Sequence, residues 1–187
     1  MKQISIFASG TGSNAKNIIE YFRNDPNTNI NLIICNNENA GVLDIASQED
    51  IPVILIKRSE LESPSNLITI LKNRKIDLIV LAGFLLKIPS VLTTTFPIIN
   101  IHPALLPKYG GKGMYGKHVH QAVLENRDKV SGITIHHVNE VYDKGEILLQ
   151  KEVEIENLET AQSLQEKIHK LEHHYYPLVI KEILEQM

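Results

Sequence analysis

The stretch ISIFASGTGSNAKNII, residues 4–19, decides the fold class. Its first five residues, Ile4 to Ala8, predict a short buried strand. A turn rich in glycine and polar residues follows, and either Ser13 or Asn14 is predicted to cap a helix that carries Ile18 and Ile19 on its apolar face. A strand, a turn and a helix in this order are typical of the first part of a βαβ unit, in which the strands run parallel.

The same alternation of strand and helix continues to about residue 82. Further apolar strands are predicted at Ile30 to Cys35, Val53 to Ile56 and Leu78 to Ala82, with helices at Gly41 to Asp50 and Asn66 to Asn73. Strands that are apolar throughout and alternate with helices indicate a mostly parallel sheet that is covered on both faces. We therefore predict an α/β protein with a Rossmann-like, twisted, mostly parallel sheet.

The pattern changes in the second half of the chain. A short strand at Ile98 to Ile101 precedes a long loop, Pro103 to Lys117, and a short helix, His118 to Leu124. Residues 132–138 and 147–150 are predicted to pair as an antiparallel hairpin. A long helix follows at 160–184, which Pro177 is expected to kink or divide. We predict one domain, 1–187, with halves at about 1–100 and about 101–187.

Bulk composition excludes several classes of protein. The 187 residues carry a net charge of -3, which argues against binding to nucleic acid. Cys35 is the only cysteine, so no intrachain disulfide is possible. The longest apolar run, Leu78 to Leu86, is too short to span a membrane, and the N-terminus lacks a secretory signal. We expect a cytoplasmic protein, monomeric or homodimeric, whose partners are small molecules.

Asn100 and His102 lie two residues apart at the predicted end of a buried strand, and Asp143 lies in a later polar turn. In open α/β sheets, ligands bind beside such strand ends. An amide can stabilise an oxyanion, and an imidazole with a carboxylate can move protons. Singly, each residue also has an ordinary structural explanation: a buried amide, a strand-end histidine and a turn former.

The turn Gly10 to Ala15 is a candidate phosphate site. Glycines let a ligand approach the backbone, and the free N–H groups of a helix N-terminus attract phosphate. The turn also matches the dinucleotide fingerprint G-x-G-x-x-A, but the second strand ends in Asn36 and Asn37 where an acidic residue is expected. A single phosphate therefore fits better than a dinucleotide, and an ordinary strand-to-helix turn is the structural alternative.

Two other patterns carry less weight. Gly111 to His118 matches G-x-x-x-x-G-K, but no strand precedes it and His118 replaces the hydroxyl that binds magnesium, so a nucleotide triphosphatase is rejected. A loop over the site or a solvated surface loop fits this segment instead. No histidine pair has the helical H-E-x-x-H arrangement, so no metal site is predicted.

The segment NIHPALLPKY, residues 100–109, closely resembles the signature of the folate-dependent formyltransferases. Ala82 to Phe84 before it and Asp143 to Gly145 after it resemble the same family, and the likeness runs over essentially the whole chain. The Gly-Ser-Asn loop, Gly12 to Asn14, resembles the branch of the family that formylates glycinamide ribonucleotide. The resemblance leads us to expect a cis peptide bond between Leu106 and Pro107.

The resemblance implies transfer of a formyl group from 10-formyltetrahydrofolate, a co-substrate, to the amine of N1-(5-phosphoribosyl)glycinamide in purine biosynthesis, without a metal. It implies catalytic roles for Asn100, His102 and Asp143. It further implies a site for phosphoribosylglycinamide and a site for folate. The first comprises Gly12, Ser13, Asn14 and Glu172, and the second comprises Leu85, Leu86, Lys87, Ile88, Asn100, Asn139, Glu140, Val141, Tyr142 and Asp143.

In the implied mechanism Asn100 donates to the oxyanion. His102 is expected to be held protonated, because the Asp143 carboxylate should raise the pKa of the His102 ring. The sequence departs from the family where Leu86, followed by Lys87, replaces an arginine that would contact the folate tail. Three alternatives stay open: a formyltransferase for another amine acceptor, a Rossmann-type dinucleotide-binding protein, and a binding module without turnover.

Overall fold

The structure is a computed structural model that describes residues 1–187. It divides into two compact units, Met1–Asn100 and Ile101–Met187, with the boundary inside one strand. The first unit alternates strands and helices, as the sequence predicts. Its strands are β1 (Lys2–Ala8), β2 (Thr28–Cys35), β3 (Val53–Leu55), β4 (Leu78–Leu81) and most of β5 (Ile98–His102); its helices are α1 (Ser13–Phe22), α2 (Val42–Gln48), α3 (Arg58–Glu62), α4 (Ser65–Asn73) and α5 (Ser90–Thr95).

The second unit contains α6 (Lys117–Glu125), β6 (Val130–His137), β7 (Ile147–Glu154) and the long helix α7 (Ala161–Gln186). The strands β6 and β7 pair antiparallel, so the predicted hairpin is confirmed and is longer than predicted. The peptide bond between Leu106 and Pro107 is cis, as the resemblance led us to expect. None of the helices combines the length and the apolar character that crossing a membrane requires.

Hydrogen bonds join the strands in the order β3-β2-β1-β4-β5-β6-β7. The pairs β1–β2, β1–β4, β2–β3 and β4–β5 are parallel. Side chains on both faces of these strands are buried, Ile4, Ile6 and Phe7 among them, because helices cover the sheet. The predicted α/β class with antiparallel strands near the C-terminus is therefore confirmed.

The helix α7 is continuous through Pro177, so the prediction that this proline divides the helix is wrong. A proline inside a helix costs about 3 kcal/mol, because it removes one backbone hydrogen bond and crowds the preceding turn. Here Tyr176, Val179 and Ile180 are buried around Pro177. Each large apolar side chain contributes about 1.5–3 kcal/mol on burial, which offsets the cost.

Gly132 in β6 lets the hairpin close tightly. A Cβ at this position would lie 2.1 Å from the carbonyl oxygen of Lys151 and 2.6 Å from Leu105 Cδ2. We expect Gly132→Ala to lower the free energy of unfolding by about 3 kcal/mol, the upper end for overpacking. Urea unfolding measures this. Gly10→Ala is the matched control, because a Cβ there meets no atom within 4 Å; equal midpoints for the two variants would contradict the tight closure.

Candidate active site

Asn100 and His102 occupy the carboxyl end of β5. Residues two apart on a strand project to the same face. Asn100 lies opposite Leu81, the last residue of β4, in the parallel register. The amide therefore stands where two parallel strands end, the position at which open α/β sheets bind ligands. His102 is 3% exposed, so its charge state depends on the groups around it.

Two groups face the ring of His102. Its Nε2 lies 2.7 Å from the carbonyl oxygen of Tyr109, and its Nδ1 lies 3.8 Å from Asp143 Oδ2. A carbonyl oxygen only accepts hydrogen bonds, so Nε2 carries a hydrogen. The structure thus brings His102 and Asp143 together, although they are far apart in the sequence.

Asp143 is fixed by its backbone and by its neighbours. Its φ of 53° is in the left-handed region, which aspartate tolerates better than most residues. The backbone N–H of Gly111 donates to Asp143 Oδ2 at 2.7 Å. Asn139 closes the turn that contains Asp143 by donating to the carbonyl of Lys144 and accepting from the N–H of Val141. These contacts fix the position of the Asp143 carboxylate within the second unit.

A second histidine, which sequence reasoning did not assign to the site, also faces this carboxylate. His136 Nε2 lies 3.6 Å from Asp143 Oδ1, and His136 Nδ1 lies 2.7 Å from the carbonyl oxygen of His137. His136 is buried on β6. Asp143 is therefore flanked by two imidazole rings, one against each of its oxygens.

The expectation that His102 is held protonated is corrected by its surroundings. Burial lowers the pKa of His102 below its ordinary value. The Asp143 carboxylate does raise this pKa, as does the hydrogen bond to Tyr109, but burial outweighs both, and His136 lowers the pKa further. Desolvation disfavours the charged imidazole more than one nearby carboxylate favours it. The ring of His102 is therefore mainly neutral at neutral pH.

Asp143 remains a carboxylate. Burial is the largest single influence on its pKa and would raise it. The hydrogen bonds from His136 and from the Gly111 N–H, with the positive charge that either histidine can carry, together lower the pKa of Asp143 below its usual value. An ionised carboxylate next to a neutral imidazole can draw a proton onto that ring during a reaction.

Gly12 to Asn14 lie at the start of α1 in the first unit. Gly12 has a φ of 81° and is itself the N-cap, so the prediction that Ser13 or Asn14 caps the helix is wrong. A Cβ at Gly12 would lie 2.9 Å from the Cα of Val42, which explains why only glycine fits. The helix therefore begins directly at Ser13, and the N-terminus of a helix attracts anions.

The segment Leu85 to Ile88 follows β4 in the same unit. Leu85 is half exposed, whereas Ile88 is buried, so the segment has an accessible part and an anchored part. Ser9 holds it: the Ser9 hydroxyl accepts from the Leu85 N–H at 3.0 Å and donates to Asn36 Oδ1. Ser9 thus links the ends of β1 and β2 to this segment, a role that the sequence did not reveal.

The other residues assigned to binding lie in the second unit. Asn139 to Tyr142 form an exposed turn, in which Val141 is 53% and Tyr142 is 37% exposed. Glu172 is buried on α7, one turn before Tyr176. Burial, followed by the charge of Glu172, raises the pKa of Tyr176 well above its usual value. These placements identify where the side chains are, and their ligands remain predictions.

Comparison with known proteins gives one consistent result. Residues 2–180 match the family described as Formyl transferase. The chain is 40% identical over 99% of its length to the chloroplastic phosphoribosylglycinamide formyltransferase of Arabidopsis thaliana, and it spans 66% of that protein. It is 35% identical to the phosphoribosylglycinamide formyltransferase of Bacillus subtilis, with 98% of this chain and 95% of that protein covered.

Solved structures agree with this result. The crystal structure of phosphoribosylglycinamide formyltransferase from Anaplasma phagocytophilum superposes with a TM-score of 0.89 at 32% identity, over 98% of this chain and 87% of that one. The family match and the Bacillus relative both extend over nearly the whole chain. The chain therefore belongs to the formyl transferase family.

Proposed function

We propose that this protein transfers the formyl group of 10-formyltetrahydrofolate to the amine of N1-(5-phosphoribosyl)glycinamide, which gives the formylglycinamide ribonucleotide and tetrahydrofolate in purine biosynthesis. The arrangement at the end of β5 supports this most strongly: an amide at Asn100, then a neutral imidazole at His102 that faces an ionised Asp143. These groups suit direct acyl transfer, in a chain whose relatives carry the corresponding name.

In the proposed reaction the substrate amine attacks the formyl carbon directly. A new C–N bond forms, and the formyl oxygen becomes an oxyanion. The Asn100 amide donates an N–H to this oxygen. No covalent intermediate with the enzyme is needed, and Cys35, which is buried and donates to the carbonyl of Asn37, has a structural role.

The reaction also moves one proton from the attacking amine to the leaving nitrogen of the folate. The attacking nitrogen, which is positively charged in the tetrahedral intermediate, releases a proton to the neutral His102, directly or through water beside Asp143. The imidazolium that forms is stabilised by the Asp143 carboxylate. His102 then protonates the leaving nitrogen of the folate as the old C–N bond breaks, so that no net proton is gained or lost.

The resting contact of His102 indicates what must change when substrates bind. The Nε2 hydrogen of His102 is directed to the Tyr109 carbonyl, and its Nδ1 is directed to Asp143. For the Nε2 hydrogen of His102 to reach the leaving nitrogen of the folate, its hydrogen bond to the Tyr109 carbonyl must break. Tyr109 has a φ of 54° and lies in the loop before α6, so a change in this loop would release the ring.

We assign the substrate phosphate to the start of α1, at Gly12, Ser13 and Asn14. Gly12→Ala should raise KM for phosphoribosylglycinamide by roughly tenfold, about 1.4 kcal/mol, because a Cβ would displace the backbone that presents the N–H groups. Steady-state kinetics measures this, with KM for the folate as the internal control. Gly10→Ala, which causes no clash, should have a much smaller effect; equal effects of both variants would refute the assignment.

The folate is assigned to Leu85–Ile88 and Asn139–Asp143, and Glu172 is assigned to the phosphoribosylglycinamide. Lys87 and Arg58 are both exposed in the first unit. Lys87 can serve as a cation for the folate tail in place of the arginine that Leu86 replaces, and Arg58 in place of a second family arginine that aligns near Pro64. The proposed reaction needs no metal, and the proposed partners are small molecules. The proposal also places the protein in the cytoplasm, as a monomer or homodimer.

The proposal is tested with the purified protein and both substrates. Release of tetrahydrofolate, or of a deformylated folate analogue, should depend on phosphoribosylglycinamide. Parallel reactions with an amino sugar nucleotide as acceptor distinguish the alternative amine substrate. Release with the sugar nucleotide and none with phosphoribosylglycinamide would replace the acceptor and keep the reaction.

A further inference from the structure

The short segment Tyr109–Gly111 contacts both members of the His102–Asp143 pair. The carbonyl oxygen of Tyr109 lies 2.7 Å from His102 Nε2. The backbone nitrogen of Gly111 lies 2.7 Å from Asp143 Oδ2, to which it donates. One piece of backbone therefore holds the imidazole at its first residue and the carboxylate at its last.

Gly110, the middle residue of this segment, packs closely against its surroundings. A Cβ at Gly110 would lie 2.5 Å from Leu106 Cδ2 and 3.2 Å from Asp143 Cβ. Only a glycine lets the backbone approach these two side chains so closely. A shift of Tyr109 would therefore be passed on to Asp143, and not only to His102.

The backbone of Tyr109 needs support from its side chain. Its φ of 54° is in the left-handed region, which a bulky aromatic residue adopts only when its surroundings impose it. Tyr109 also lines a cavity of about 340 Å³, whose other walls include Leu105, Val123 and Ser131. Because the side chain borders open space, packing alone does not fix it.

A hydrogen bond to Asp128 fixes the Tyr109 side chain instead. The Tyr109 hydroxyl donates to Asp128 Oδ2 at 2.9 Å. This hydrogen bond is the largest of the influences that lower the pKa of Asp128, so Asp128 is an ionised carboxylate. Hydrogen bonds to an ionised acceptor are roughly twice as strong as those between neutral groups. Lys108 Nζ lies 3.3 Å from the same oxygen, but its side chain is 66% exposed.

Asp128 is itself fixed to the end of α6. Its backbone N–H donates to the carbonyl of Val123, in the last turn of that helix. The side chain of Asn126, the C-cap residue of α6, donates to Asp128 Oδ1 at 2.7 Å. Tyr109 is therefore tied to a helix end that lies after the loop 110–116, and not to the loop itself.

We propose that Asp128 is a positioning residue of the formyl-transfer site: it holds the Tyr109 side chain, and the segment Tyr109–Gly111 thereby keeps His102 and Asp143 in place. The inference rests on the proposed function for its catalytic consequence, whereas the placement of His102 by this contact does not depend on the reaction. The contact is made by the Tyr109 side chain, so it can persist when the Tyr109 carbonyl releases His102.

Three titratable groups surround His102 besides this segment. Asp143, in the turn after β6, and His136, on β6, act on His102 through their charges. His120, on α6, is neutral near neutral pH, because burial, followed by the charges of His169 and His102, lowers its pKa to about 4. None of these groups is changed when the contact between Tyr109 and Asp128 is removed.

Removal of that contact should lower the pKa of His102. Burial, the largest influence, already lowers this pKa, whereas the Asp143 charge and the hydrogen bond to the Tyr109 carbonyl raise it. Loosening the segment weakens the two contacts that raise the pKa. His102 then stays neutral to a lower pH, so the acid limb of kcat/KM, which reports the free enzyme, should move to lower pH.

The catalytic consequence is tested with Tyr109→Phe, which removes only the hydroxyl, and with Asp128→Ala, which removes its acceptor. In each variant we expect kcat to fall roughly tenfold through misplacement of the reacting groups, with both KM values within about twofold. The double variant should be no worse than either single variant, because all three lose the same contact. Asp128→Asn keeps an oxygen that can accept from Tyr109 and should recover most of the turnover.

Two controls separate this contact from its surroundings. Tyr21→Phe, at a 43% exposed position on α1, makes the same chemical change elsewhere and should have no effect. Lys108→Met removes the cation beside Asp128 but leaves the hydrogen bond to Tyr109, and it should change neither kcat nor the acid limb. A loss in Lys108→Met equal to that in Tyr109→Phe would overturn the proposal.

The placement of His102 is tested without substrates, by NMR titration of carbon-labelled histidine in the full-length protein. The pKa of His102, identified by sequential assignment, should be lower in Tyr109→Phe than in the unmodified protein and unchanged in Tyr21→Phe. An equal pKa in Tyr109→Phe and the unmodified protein overturns the proposal. So does an active enzyme in which Tyr109→Phe leaves kcat unchanged or raises it.

The failure of one proposal can be told from the failure of the other. An unmodified protein without formyl transfer overturns the proposed function, while the NMR titration still decides whether the contact places His102. If Asp128→Ala does not fold, Tyr109→Phe and its control Tyr21→Phe decide the positioning role alone.

Discussion

Replacing Asn100 with alanine should lower turnover by about 10² to 10³, the usual effect of removing one oxyanion donor. The Asn100 amide lies at the carboxyl end of β5, in register with the end of β4, and it is the donor that we assign to the formyl oxygen. The loss should appear in kcat, because the oxyanion exists only in the transition state and the intermediate. KM values for both substrates should change little.

The fold should tolerate this substitution, so a loss of turnover can be attributed to chemistry. Circular dichroism and the urea midpoint of Asn100→Ala should resemble those of the unmodified protein. Asn73→Ala, at an exposed position on α4, is the matched control and should retain full turnover. Near-native turnover in Asn100→Ala would remove Asn100 from the site.

Asp143→Asn should lower turnover by about 10² or more, the range for losing a group in general acid–base catalysis. The carboxylate stabilises the imidazolium that forms on His102 during the reaction, and an amide cannot do so. The pH profile should also change. The neutral form of His102 accepts the proton, so turnover falls as the pH drops through the pKa of His102.

The direction of that change follows from the charges. The Asp143 carboxylate raises the pKa of His102, against the larger effect of burial. Its removal therefore lowers this pKa, and the acid limb should move to lower pH. Asp44→Asn, at an exposed position on α2, is the control; an unshifted limb in Asp143→Asn would exclude Asp143 from the proton path.

Much of the first unit could be predicted because its strands are continuous apolar runs. β1, β2 and β4 lie within one or two residues of their predicted bounds, since an apolar run between turn residues has few other interpretations. The short helices α3 and α5 were not predicted, because helices of five and six residues show no complete apolar period. Pro177 does not divide α7 as predicted, because burial of the neighbouring side chains outweighs the usual cost of proline inside a helix.

At the site, too, some residues could be predicted from the sequence pattern, whereas others depend on how the chain packs. Asn100 and His102 could be selected because an amide and an imidazole are suited to acyl transfer, and because the end of a buried strand is where open α/β sheets bind ligands. His136 could not, because it lies in an alternating strand where any side chain fits. One signal was available: in the predicted hairpin, His136 and Asp143 flank the same turn. The lowered pKa of His102 depends on burial, which the sequence alone does not give.

The most direct measurement traces an isotopically labelled formyl group. The purified protein is incubated with labelled 10-formyltetrahydrofolate and phosphoribosylglycinamide, and the products are identified by mass spectrometry. The proposed function requires the label on the amine nitrogen of the formylglycinamide ribonucleotide, in an amount equal to the tetrahydrofolate released, and nearly none at equal times with Asn100→Ala. Tetrahydrofolate released with the label in free formate, or no release at all, would contradict it.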